Sequence, residues 1–444
     1  MENKNEPLER VNSWIKNSVT LKLITITILM LLLLIPTAMI ESIIEERQAS
    51  NMQATDEVSA KWANEQLING PVLSIPVVYE YIKDDKPTEV IKYWKILPNE
   101  LTVNGEVIPK SLNRGIYEVI VYDAALAVSG NFIIDETFEK DNIKEIKYDR
   151  AFLTVGISDM RGIKDQVNIK FGESNLKVQP GSKIPDLIKS GITAQIPQVS
   201  VTDKPIPFQF NLGLQGSQQL AFTPIGSTTK VNLTSAWDSP SFNGSFLPRT
   251  RAVNENGFEA SWKVLELNRN FPQSWIGHRN LSEIETSAFG VDLIMPIDDY
   301  QKSIRSVKYG AMTVALTFLT IFLVEVIKKR RIHPFQYAFV GLALCLFYIL
   351  LISISEHLNF NLAYFISTVS VVTMIGLYAI SVFNSKRISL LLILIIIGVY
   401  CFLFTTLQLA DYALLLGSIG LTAILGLAMY YTRNINWYKL NMES

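Results

Sequence analysis

Cysteine and histidine are scarce in this 444-residue chain, which has two of the former and three of the latter. Both cysteines, Cys345 and Cys401, fall inside long apolar runs. The polar part of the chain therefore has no disulfide, no thiol nucleophile and no thiolate metal site. His278, His333 and His357 are scattered and supply no histidine-rich metal set. HExxH, GxSxG, a Walker A loop and a helix-opening GxGxxG are absent as well. No catalytic, cofactor-binding or metal-binding residue is expected, and ATP-driven transport would need a nucleotide domain on another chain. A formal net charge of -1 and a pI near 6.4 create no basic field, which argues against a nucleic-acid partner.

Long apolar runs are abundant. A helix needs about 20 mostly apolar residues to cross roughly 30 Å of hydrocarbon. Six stretches qualify: 23–40 with Pro36 near its far end, then 309–327, 335–354, 362–383, 388–407 and 412–431. The first reads as an uncleaved signal anchor rather than a cleaved signal peptide, because TAMIESIIEERQ offers no small-x-small cleavage site. Upstream, Val11, Trp14, Ile15 and Val19 share the spacing of a helix face, so this stretch is either an interfacial helix or a flexible tail. In the last run, Ser418, Thr422 and Gly426 recur every four residues, and this small-residue face is expected to pack within the bundle.

Lys and Arg orient the spans, since they are retained on the cytoplasmic side. One flank holds Lys4, Arg10, Lys16 and Lys22, then the run Lys328, Lys329, Arg330 and Arg331, then Lys386, Arg387, Arg433 and Lys439. The opposite short loops, 355–361 and 408–411, contain neither residue type. The expected plan is a multi-pass membrane protein: a cytoplasmic segment 1–22, a span 23–41, an outer mainly-β domain 42–308, a five-helix bundle 309–431 and a cytoplasmic tail 432–444. Membrane lipids are the expected partners, with the basic run 328–331 as a topology anchor and a secondary contact for anionic lipid.

Residues 42–308 alternate apolar and polar positions at 72–81, 115–126, 208–214, 229–237, 258–267 and 288–295, as sandwich-like strands do. Asn-Gly pairs at 104, 243 and 256 suit tight hairpins. Residues 177–197 break the rhythm, so a short helix or a connection between two lobes divided near 175–205 is the alternative to one body.

Three polar sites stand out. Glu325 lies inside the second span, with Lys328 and Lys329 at i+3 and i+4 for an interfacial ion pair; the alternative is a proton or substrate role. Ser355, Glu356 and His357 close the third span and face Asp411 in the next outer loop, as a polar helix terminus or as a proton-linked or ligand site. In the β region, Asp159 and Arg161 of GISDMRG (156–162) most simply stabilise a loop. Together with SFNGSFLPRTRAVNENGF (241–258), that loop is the preferred surface for a ligand or partner.

Further motifs run through nearly the whole chain: LLLLIP (31–36), GPVLSIPV (70–77), LPNELTVNGEV (97–107), RGIYEV (114–119), GISDMRGI (156–163), SFNGSFLPRTR (241–251), GFEASW (257–262), RIHPFQY (331–337), ISEHLNF (354–360), ALLLGS (413–418) and TRNINWY (432–438). In this order they resemble the CreD family of bacterial inner-membrane proteins, described as cell envelope integrity proteins. The resemblance implies one N-terminal span, a large periplasmic domain and a C-terminal bundle. It also implies a role in maintaining the envelope, under a two-component system responding to metabolic state or cell-wall stress. It supplies no catalytic residues. Two functions follow as alternatives: a non-enzymatic factor whose β domain binds cell-wall, lipid or protein components, or a bundle that moves or processes a lipid-linked or small envelope molecule through Glu325, Glu356, His357 and Asp411.

Overall fold

The structure, a computed structural model, describes residues 19–83, 86–136, 138–278, 281–293, 298–328, 332–383, 385–409 and 412–433. The chain forms two compact units, Met52–Pro296 and Met1–Asn51 together with Ile297–Ser444. Its helices are α1 (Val19–Trp62), the short α2 (Leu281–Thr286), α3 (Asp298–Lys308), α4 (Gly310–Lys328), α5 (Pro334–Ser355), α6 (Phe360–Phe383), α7 (Lys386–Gln408) and α8 (Ala413–Thr432).

Among the described residues, α1, α5, α6 and α7 are long and apolar enough to cross a membrane. The pair Lys302–Lys308 and Gly310–Val326, bent by 41°, makes a fifth if counted as one span, and Leu415–Gly426 is a shorter apolar stretch. One face of the bundle helices is apolar and exposed, with Phe365, Leu377, Leu394 and Met429 each more than half accessible. A continuous apolar exterior of this kind is stable in hydrocarbon and not in water.

Helix α1 is much longer than its apolar run. No glycine or further proline follows Pro36 until Gly70, and the helix-favouring Glu, Ala, Gln and Met of 41–62 carry it on to Trp62. Residues 42–51 and 298–308, assigned from sequence to the β domain, are therefore helical. Proline 36 removes one backbone donor, and nearby Thr37 Oγ1 donates to the Leu34 carbonyl at 2.8 Å. Against α1, the Gly341 site on α5 has no room for a side chain: an added Cβ would lie 2.2 Å from Leu33 Cδ1 and 3.0 Å from Phe318 of α4. The start of α5 is set locally by Pro334 at its first turn and by a box in which His333 Nδ1 accepts from Phe335 N–H and Gln336 Oε1 accepts from His333 N–H.

The β unit is built from two sheets. In one, Gln66–Lys83 runs antiparallel to Lys86–Ile96 on one side and to Ile143–Ile146 and Phe152–Ile157 on the other, while its first residues lie parallel to Gln219–Phe222. The second sheet runs Thr250–Asn254, Gly257–Leu265, Thr228–Ser235, Glu100–Arg114, Tyr117–Ile134, Thr202–Ser217, Asn168–Phe171, with one parallel pairing, between Thr228–Ser235 and Glu100–Arg114. Ser174–Pro180 joins the sheets, pairing with Asn168–Phe171 of the second and Gly191–Gln195 of the first. Segments on both sides of 175–205 share one core, so this is a single body rather than two lobes. Trp94, Phe152, Phe222 and Phe289 enter that core from the first sheet and Phe132 and Trp262 from the second. Truncating one of them to Ala removes about 3–5 kcal/mol.

Only one Asn-Gly pair makes the expected hairpin, at the turn between Thr250–Asn254 and Gly257–Leu265. The pair at 104 lies mid-strand, because a Cβ on Gly105 would meet Leu126 and Leu233 at 2.6 and 2.8 Å. The tight turn of that strand falls instead at Gly115, whose φ of 65° suits glycine.

The packed face of α8 also differs from the expected one. Ser418, Thr422 and Gly426 are exposed, and a Cβ on Gly426 would meet open space. Gly420 is the tight position, with the Phe402 ring of α7 2.3 Å from a built Cβ. Replacing Gly420 with Leu is expected to lower the melting temperature in detergent, whereas Gly426→Leu leaves it nearly unchanged; melting curves of the two variants check this.

Candidate functional site

In the helical unit, Glu325 near the end of α4 has no solvent exposure. Its expected partners, the side chains of Lys328 and Lys329, lie outside the described residues. Lys22 at the start of α1 donates to Oε1 and also to the Ile332 carbonyl at 2.8 Å. The Ile332 N–H donates to the same Oε1 at 2.8 Å, and the Tyr337 hydroxyl donates to Oε2 at 2.9 Å. The carboxylate thus gathers α1, α4, the segment after the basic run and α5. Burial in a span demands this: an uncompensated charge there costs several kcal/mol, and only full hydrogen bonding offsets it. Sequence reasoning missed Lys22 as the partner because 303 positions separate the two residues. The available signal was a lysine at a span boundary with a matching carboxylate in another span.

Glu356 ends α5 and meets Arg47 of α1, whose Nε lies 3.4 Å from Oε1. His357 is exposed and Asp411 lies outside the described residues, so a Glu356–His357–Asp411 cluster is not assembled by the described side chains. At the ends of α6 and α7 away from their connection, Gln408 Nε2 donates to Asn361 Oδ1 at 2.5 Å. Lys22 and Arg47 are 25 positions apart, about 37 Å along α1. That is close to the thickness of a hydrocarbon core plus its margins. The two ion pairs therefore sit at opposite ends of the membrane-length part of the helix.

In the β unit, Asp159 and Arg161 are brought together, and both are committed to the segment that joins α1 to the first strand. Arg161 reaches Asp159 through Nε at 2.9 Å and Nη2 at 2.5 Å, and its Nη1 donates to the Ala60 carbonyl in the last turn of α1. Asp159 Oδ2 accepts from the Asn64 N–H at 2.9 Å, and the Gln66 amide donates to the Asp159 carbonyl at 3.0 Å. Orphan groups at a helix end are satisfied here by a loop distant in sequence. GISDMRG is thus a clamp on the helix-to-strand junction, and its polar groups are not free for a ligand.

Two further clusters were not anticipated. Lys95 is buried, donates to Asp186 and to the Gly277 carbonyl at 3.0 Å, and His278 Nδ1 lies 3.0 Å from the same carboxylate. Asp123 takes Lys110 at 2.5 Å and Lys164 at 2.9 Å. The Lys95–Asp186 and Lys164–Asp123 pairs join segments too far apart in sequence for spacing to reveal. No group of three or more metal-ligating side chains occurs among the described residues.

The Arg161 guanidinium, outweighing burial, holds the Asp159 carboxyl down to about 2. A depressed carboxyl stabilises the fold fully above its unfolded value near 4, and this contribution disappears as pH falls through about 2. With Arg161 half exposed, solvent screening reduces the contribution to about 1 kcal/mol. Asp159→Asn should lower stability by about that much at pH 7 and make no difference below pH 2. Amide exchange of residues 60–67 across this range checks it; equal protection in both proteins at pH 7 would refute the clamp.

The family described as Inner membrane protein CreD matches residues 18–438. Inner membrane protein CreD of Escherichia coli (strain K12) is 31% identical over 418 residues, covering 93% of this chain and 92% of that protein. Together with a bundle whose exterior is apolar, a match of this extent leaves one assignment: the chain belongs to the CreD family of inner membrane proteins.

Proposed function

We propose that this protein supports cell envelope integrity by non-catalytic binding of an envelope component through its β unit, with the helices as anchor. In this reading the chain crosses the inner membrane six times, both termini are cytoplasmic and the β unit is periplasmic. The distribution of Lys and Arg over the short loops supports that orientation. The use of Glu325, Glu356, Asp159 and Arg161 as ties between segments supports an anchoring rather than a transporting role.

One observation carries the binding reading. The second sheet has an open groove of about 350 Å³ in which Asn232, Thr234, Thr250, Arg251, Glu259 and Ser261 stand beside Leu233, Ala252 and Ala260. Ser261 Oγ donates to Asn232 Oδ1 at 2.7 Å and Asn232 Nδ2 to Asn104 Oδ1 at 2.8 Å, so the amide is held in place. The strand on its edge, Thr250–Asn254, is exposed throughout. Hydroxyls, amides and one guanidinium on a rigid sheet suit a hydroxyl-rich polar chain, such as a cell-wall glycan. Arg251→Ala with Asn232→Ala should abolish the envelope-stress resistance conferred by the intact protein, at unchanged membrane abundance. Glu356→Gln with His357→Gln should leave that resistance nearly intact. The reverse ordering would overturn this reading in favour of transport through the bundle.

A further inference from the structure

The strand Thr250–Asn254 forms an edge of the second sheet. Among the described residues it pairs only with Gly257–Leu265, and all five of its residues are exposed. The ladder decides which of its main-chain groups face outward. The Ser261 carbonyl accepts the Arg249 N–H at 2.7 Å, so the main-chain groups of Ser261, and by alternation those of Glu259, point at this strand. Their register partners Thr250 and Ala252 point back at them, which leaves the N–H and C=O of Arg251 and Val253 pointing away from the sheet. Outward donors and acceptors on an edge are a template for a further strand, and this edge carries neither the proline nor the lysine that commonly blocks one.

The sequence says which strand fits, because this edge is complementary to itself. We propose that two copies of the protein pair antiparallel along it, with Ala252 opposite the partner's Ala252. Arg251 then lies opposite the partner's Val253, and Val253 opposite the partner's Arg251, so each outward-facing residue exchanges both its hydrogen bonds. Just beyond, Arg249 faces the partner's Glu255, and Glu255 faces the partner's Arg249. Arg249 and Glu255 are exposed, and neither enters an ion pair within the chain among the described residues. Val253, 48% exposed, comes under the aliphatic stem of the partner's Arg251. Sliding the register by two residues either way pairs only one of the two outward-facing residues, and in one direction sets Arg251 against the partner's Arg251. A five-residue edge covers less area than a permanent dimer needs, so the pairing is reversible. It needs only this edge and holds whether or not the groove binds a glycan.

The test uses the full chain in detergent, with Cys345→Ala and Cys401→Ala, and reads disulfide cross-linking between copies under mild oxidation. Ala252→Cys should cross-link, since the Cα atoms of a facing pair of this kind lie about 4.5 Å apart, within disulfide reach. Thr250→Cys should not, because its counterpart sits about 13 Å along the strand. Added to Ala252→Cys, either Arg249→Glu or Glu255→Arg sets like charges opposite one another and should slow cross-linking about five-fold, while the two reversals together should restore it. Arg249 and Glu255 of one chain are about 20 Å apart along the strand, so this rescue cannot arise within a single copy. Val253→Pro removes an outward N–H, leaves the ladder to Gly257–Leu265 intact and should abolish cross-linking at an unchanged melting temperature. No cross-link through Ala252→Cys, equal cross-linking through Thr250→Cys, single reversals that the double change does not rescue, or undiminished cross-linking with Val253→Pro would each overturn the proposal.

Discussion

A carboxylate inside a membrane-spanning bundle is the constraint around which the helical unit is arranged. Glu325 has no contact with solvent, and its two oxygens need donors that only other segments can supply. Lys22, the Ile332 N–H and the Tyr337 hydroxyl supply them. The start of α1 is thereby fixed to the end of α4 and the start of α5, and the chain after the basic run has to turn back toward α4. The Phe318 ring, edge-on to Tyr337 at 5.5 Å, and Leu33 against Gly341 then close the apolar packing beneath this knot.

The same logic recurs along α1. Arg47 meets Glu356 at the far end of the membrane-length segment, and the last turn of the helix presents the Ala60 carbonyl to Arg161. Four of the six residues that seemed from their chemistry to offer a site, Glu325, Glu356, Asp159 and Arg161, hold a helix terminus or a helix crossing. Groups left outside these ties are of a different kind: the hydroxyls and amides of the groove on the second sheet.

The spans were legible because a bilayer imposes a length on every apolar segment. The runs at 335–354, 362–383 and 388–407 lie within a few residues of α5, α6 and α7. Alternation likewise located the main strands, including 229–237 against Thr228–Ser235. Residues 42–51 were misassigned because the helix continues past its apolar run on propensity alone, which hydropathy does not register. The pair Asn104–Gly105 suggested a turn although Gly105 is needed for close approach of Leu126 and Leu233, and both uses of glycine look alike in sequence. Lys22 was read as a topology signal, which accounts for its position but not for its partner. Long-range pairing of single charges has no periodicity, so only the fold reveals it.

The account depends most on the Lys22–Glu325 tie. Its most direct test is a double-mutant cycle of Lys22→Met and Glu325→Gln, measured as unfolding free energy of the full chain in detergent. Each single change should cost about 3–5 kcal/mol, because it leaves the other charge buried and unpaired. The double variant should be no less stable than the weaker single one, since neither charge remains. Losses that simply add would contradict the claim that this ion pair organises the bundle.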